Sequence, residues 1–195
     1  MQKLMALSLA LASLSSGLVQ GSVIHFDELG VPGWVYPDYS NTGFVSQGFA
    51  FSENMDVIDV SPSGGIWSSG VGADHSGNYA AFNDYGGTML MTRQGGGAFV
   101  VDNLWLNGWQ GAPTVSLIEG YLNGALVGSV LASYSSPWSQ VLTGFGSIDT
   151  LSIGGGLFLV DDIAINDGNR PLPEPASLSM LALGLLGVFG CRRRS

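Results

Sequence analysis

The side chains best placed to do chemistry are two pairs of acids, Asp27-Glu28 near the start of the central segment and Asp161-Asp162 near its end. Carboxylates are the hard oxygen donors that a calcium ion collects, six to eight at a time. The segment offers such donors at both of its ends. In a strand successive side chains point to opposite faces. Asp161 and Asp162 are therefore expected to diverge, one as the ligand and the other facing solvent or capping the strand. No Asp-x-Asp-x-Asp-Gly loop occurs, and Asp167-Gly168-Asn169 reads as a turn.

Aromatic rings are the second resource. Trp34, Trp67, Trp105, Trp109 and Trp138 are candidate platforms for the apolar face of a sugar ring. Trp105 and Trp109 bracket the turn-like Leu106-Asn107-Gly108, which would let one ring face outward. Trp34 and Trp67 sit among Pro and Gly in expected loops.

Nothing in the sequence assembles a catalytic motif. His25 and His75 are the only imidazoles, and they belong to no His-Glu-x-x-His helix and no triad; a Gly-x-Ser-x-Gly elbow is lacking. His75, next to Asp74, reads as a residue of a turn or a hydrogen-bonded loop. Gly95-Gly96-Gly97 and Gly154-Gly155-Gly156 lack the lysine of a phosphate loop and read as turns. The sequence thus favours a non-catalytic protein. A pair of carboxylates facing each other across a groove, as in a polysaccharide-acting enzyme, is the pattern that would reverse this.

Composition narrows the classes further. Charged residues make up 11% of the 195 and glycine occurs 30 times, a balance that suits turn-rich β structure rather than a helical bundle. Between Ser22 and Pro173 stand two basic residues, Arg93 and Arg170, against fourteen acids. Nucleic acid is excluded as a partner, because phosphate binding needs clustered Lys and Arg. The single cysteine, Cys191, lies outside the central segment, so no disulfide can staple it.

The elements that must position these residues are short runs of Val, Ile, Phe, Tyr and Trp separated by Gly, Asn, Ser and Pro. Strands are expected at 23–26, 43–51, 56–60, 79–83, 88–92, 98–106, 114–122, 125–133, 140–145, 150–153 and 157–165. So many strands in one domain predict an all-β, two-sheet β-sandwich. Asn123-Gly124 predicts a two-residue type I′ hairpin between 114–122 and 125–133.

Both ends have their own organisation. Residues 1–21 have a positive charge at Lys3, an apolar stretch at 4–14 and then small residues, the layout of a signal peptide cleaved after Gly21 or, alternatively, Gly17. Residues 22–170 form the expected sandwich domain. The tail, 171–195, holds Pro173-Glu174-Pro175, an apolar run at 176–190, Cys191 and the cluster Arg192-Arg193-Arg194. Fifteen helical residues reach about 22 Å, short of the ~30 Å hydrocarbon core, which suits a processing handle held transiently in the inner membrane. The arginines would stay on the cytoplasmic side. Cys191 is read as unmodified rather than lipidated.

Taken together, Pro173-Glu174-Pro175, a short apolar helix and terminal arginines resemble the PEP-CTERM sorting signal. That resemblance implies an exosortase as processing partner, with a cut near the Pro-Glu-Pro and delivery of the body to the cell surface or an extracellular matrix. The body resembles jelly-roll modules of the galactose-binding type, including carbohydrate-binding families, through Phe26-Asp27-Glu28, His75-Ser76-Gly77-Asn78-Tyr79-Ala80 and Phe158-Leu159-Val160-Asp161-Asp162-Ile163. It implies a polysaccharide ligand and a structural Ca²⁺ between the opening acid and the closing Asp-Asp.

Overall fold

The computed structural model describes residues 21–30, 42–62 and 75–166. The expected signal and tail helices, Trp34 and Trp67, and the motif residues Pro173, Glu174, Pro175, Arg192, Arg193 and Arg194 lie outside them. Residues Gln20–Gly168 group as one compact unit.

Twelve strands form two antiparallel sheets among the described residues: β1 (Ser22–Ile24), β2 (Phe44–Ser46), β3 (Phe49–Phe51), β4 (Met55–Asp59), β5 (Tyr79–Asn83), β6 (Met89–Arg93), β7 (Val100–Gly108), β8 (Thr114–Leu122), β9 (Ala125–Tyr134), β10 (Ser139–Leu142), β11 (Thr150–Gly154) and β12 (Phe158–Asn166). The first sheet runs β10-β7-β12-β5-β4, with β1 also paired to β12; the second runs β2-β3-β6-β11-β8-β9. The expected two-sheet β-sandwich is therefore the observed fold. Because Ile24 pairs with Ile163, the opening and closing strands are neighbours, which brings both acid pairs to one region.

Turn chemistry sets the registers. Asn123 and Gly124 take φ values of 52° and 76°, so the expected hairpin forms, with Leu122 opposite Ala125. The expected single strand at 43–51 is instead a second hairpin. Gln47 and Gly48 adopt φ of 46° and 86°, and the buried positions change parity across them, from Phe44 and Ser46 to Phe49 and Phe51. An extended strand would have kept the parity; the shift is the mark of the turn.

Between the sheets lies the main core. Phe26 packs edge-on against Phe51 at 5.4 Å and Phe44 at 6.0 Å, alongside Met55, Met89, Met91, Leu104, Ile118, Leu151, Phe158 and Val160. A second cluster joins Ile58, Val60, Ala80, Phe82, Trp138 and Leu159, with Trp105 and Trp109 packed on it. In β12, Leu159 alternates with the core residues Phe158 and Val160, so the second cluster covers the outer face of the first sheet. That sheet is apolar on both faces.

Candidate functional site

Strand β12 breaks its own alternation where the acids stand. Its register with β7 runs evenly to Asp161 opposite Trp105 and then jumps, with Ala164 opposite Asn103. Asp162 takes up the extra length of this β-bulge at φ 44°, a left-handed conformation that Asp tolerates better than most residues. The expectation that the two acids diverge is overturned. Both carboxylates meet the same segment, the turn leading into β5: the Ser76 hydroxyl donates to Asp162 Oδ1 at 2.7 Å, and the Ser76 amide lies 3.4 Å from Asp161 Oδ2.

That turn also receives Asp27. Its Oδ1 accepts the Asn78 amide at 2.7 Å, and a Cβ built on Gly77 would stand 2.0 Å from the Asp27 carboxylate. Gly77 has φ 72° as well, so both backbone conformation and space call for glycine. Glu28 is drawn elsewhere: Oε1 accepts the Ser46 hydroxyl at 2.5 Å and Oε2 lies 3.4 Å from His25 Nδ1. Of the four acids, then, Asp27, Asp161 and Asp162 converge on residues 76–78 and Glu28 pairs with Ser46 and His25.

His75 completes the group. Its Nδ1 lies 3.1 Å from Asp162 Oδ2, and its ring packs on Trp105 at 4.1 Å and near Trp138 at 5.5 Å. Asp161 is fully buried. Burial pushes its carboxyl up to about 7; hydrogen bonds from the amides of Asp162 and Ser76 act against this, and the charges of Asp162 and Asp27 add to it. Sequence reasoning assigned His75 to a turn and missed its place here. The available signal was that the body's closing acids have so few cations to answer them.

A hard cation such as calcium would find two carboxylates and an imidazole nitrogen within 4.8 Å of one another, beside the Ser76 hydroxyl. That is a partial match to an all-oxygen shell of six to eight ligands.

The tryptophans divide differently from the expectation. Trp105 lies beneath the His75 ring, and Trp138 is 9% exposed. Trp109 stacks on Phe82 at 5.3 Å and is anchored by its amide donating to Leu157 O at 3.1 Å. It also borders a shallow cleft of about 330 Å³ with Ala112, Pro113, Thr114, Val115, Gly156 and Leu157. Gln110 and Gly111, at φ 51° and 74°, turn the chain beside it. Among the described residues, no carboxylate and no imidazole lines this cleft.

Fold and site define an antiparallel β-sandwich with an acid-and-imidazole cluster where its opening and closing strands meet and an aromatic cleft at Trp109. Residues 171–194 match the PEP-CTERM protein-sorting motif, which marks the chain for exosortase-mediated export and sorting to the surface. Among solved structures, the body is similar to a DUF4465 family protein from Bacteroides caccae, at 10% identity over 75% of this chain and 98% of that one, TM-score 0.46. It is also similar to TmCBM61, solved with β-1,4-galactotriose (16% identity, 61% and 88% covered, TM-score 0.36), and to a family 29 carbohydrate-binding module (14%, 76% and 91%, TM-score 0.34). No curated protein matches the chain.

Proposed function

We propose that the exported body is a non-catalytic polysaccharide-binding protein of the cell surface or extracellular matrix. The observation that carries this reading is the cleft at Trp109. Sugar sites are concave, mostly apolar surfaces with a rigid ring and a few polar groups at their rim. Here Pro113, Val115 and Leu157 supply the apolar wall, Thr114 supplies a hydroxyl, and the ring of Trp109 is stacked on Phe82 while its backbone amide ties the turn to Leu157. A ring fixed before binding loses little freedom when a sugar stacks on it.

The sorting tail supports the setting. A body released near Pro173-Glu174-Pro175 would meet surface glycans. Export followed by mass determination tests this part: loss of residues 176–195 in a host with a working exosortase is expected, and retention would contradict it.

Binding itself is tested by a glycan array and by affinity electrophoresis against the host's own extracellular polysaccharide, using exported protein and its Trp109→Ala variant. Removal of a stacking aromatic is expected to weaken binding at least tenfold, about 1.4 kcal/mol. An array without hits would leave a purely structural or adhesive matrix role, and hits unaffected by Trp109→Ala would move the site elsewhere on the body.

A further inference from the structure

The group formed by His75, Asp161 and Asp162 has the makings of a cation site of a different class from the calcium site that the sequence resemblance implies. One ligand atom from each residue lies within 4.8 Å of the others. His75 Nδ1 is buried and makes no hydrogen bond, although Asp162 Oδ2 is 3.1 Å away. Its ring packs on Trp105 and near Trp138, which aims the nitrogen at the Asp162 carboxylate.

The carboxylates are oriented by hydrogen bonds from the turn and from the backbone of β12. Ser76 Oγ donates to Asp162 Oδ1, which leaves Oδ2 beside the imidazole; Asp161 Oδ1 accepts the Asp162 amide at 2.8 Å, and its Oδ2 accepts the Ser76 amide at the longer distance of 3.4 Å. Outer partners that fix one oxygen and present the other, as at Asp162, are what a metal shell needs. The charge is otherwise unbalanced: the one Lys or Arg among the described residues, Arg93, lies over the rings of Phe49 and Phe99. Nearby Asp27 adds to the excess.

An imidazole nitrogen with two carboxylate oxygens is a donor set for borderline divalent ions, which bind N and O ligands in small coordination numbers, and it is poor for calcium. We propose that His75, Asp161 and Asp162 bind one borderline divalent cation, with zinc as its representative, through the imidazole Nδ1 and one oxygen of each carboxylate. The ion would pin the closing strand β12 to the turn that opens β5. This site stands apart from the cleft at Trp109 and does not depend on sugar binding.

The test uses exported protein stripped with a chelator and titrated separately with zinc chloride and calcium chloride, following heat release and melting temperature. One zinc per chain with a raised melting temperature is expected, since an ion bound only to the folded state stabilises it by mass action. Calcium at a hundredfold higher concentration should fail to reproduce the rise. The His75→Ala variant should bind zinc at least tenfold more weakly. Cobalt added to the unmutated protein gives a reading that needs no variant: intense visible bands of a low-coordinate N/O site are expected. Calcium binding in preference to zinc, unchanged zinc affinity in His75→Ala, weak six-coordinate cobalt bands, or no response to either titrated ion would each overturn the proposal. None of these outcomes touches the Trp109 reading.

Discussion

The outer faces of the two sheets differ more than their shared core suggests. On the first sheet, Ile58, Ala80 and Leu159 have no exposed surface, and Phe82, Trp105, Trp109 and Trp138 pack around them. On the second, Leu90 is 45% exposed, Val115 51% and Leu131 70%, interspersed with Thr92, Thr150 and Ser129. The strands reflect this. Burial in β12 begins with four consecutive buried residues, whereas β6 alternates buried and exposed positions. A sheet covered on both faces reads as a continuous apolar run and a half-solvated one as an alternation. The acid-and-imidazole cluster attaches to the doubly covered sheet and the turn leading into it, whereas the Trp109 cleft also takes Thr114 and Val115 from β8 of the second sheet.

The largest expected effect that would break this contrast comes from matched truncations. Leu159→Ala removes a fully buried side chain from the outer cluster of the first sheet and should cost about 2–5 kcal/mol in urea denaturation. Leu131→Ala, on the exposed face of β9, should cost no more than about 0.5 kcal/mol. Equal costs would mean that the two outer faces do not differ in packing.

Next in size is Gly77→Ala. With φ at 72° and the Asp27 carboxylate in the way of a Cβ, the substitution should lose about 1–3 kcal/mol and loosen the Asn78 amide, read as faster hydrogen exchange there. Gly124→Ala, at φ 76° but with nothing within 4 Å, should suffer from backbone strain alone and cost less.

A further effect is a slope with pH. In the folded, metal-stripped protein Asp161 keeps its proton up to about 7, while the unfolded chain releases it near the ordinary aspartate value of 3.8. The native state binds more protons across that window, so this group's contribution to stability is full at the acid end and is lost as pH rises through about 7. Asp161→Asn should flatten that part of the profile, measured as melting temperature from pH 5 to pH 8, and an unchanged slope would assign it to other groups.

Much of this architecture could be read from residue types. The strands at Tyr79–Asn83 and Thr114–Leu122 have the bounds that their apolar runs and flanking turn residues predict, and Asn123-Gly124 forms the expected hairpin. Gln47-Gly48 was missed because Gln is not a usual residue for positive φ, so only the parity shift from Phe44 and Ser46 to Phe49 and Phe51 signals the turn. The acid cluster was half legible. Its carboxylates stand in short motifs at the ends of the body, but their common direction depends on a bulge at Asp162, which periodicity alone cannot supply. His75 joins Asp161 and Asp162 from a distant part of the sequence through tertiary packing on Trp105. Aromatic type likewise did not reveal that Trp105 is covered by His75 while Trp109 borders a cleft.

The central claim is that ligand binding belongs to the cleft at Trp109, between the end of β7 and the start of β8. It is tested most directly by mapping backbone amide shifts of the exported protein as oligosaccharides from the host's extracellular polysaccharide are added. Shifts concentrated at Trp109, Thr114, Val115 and Leu157 are predicted; shifts centred on Leu90, Ser129 and Leu131, or none at saturating sugar, would contradict it.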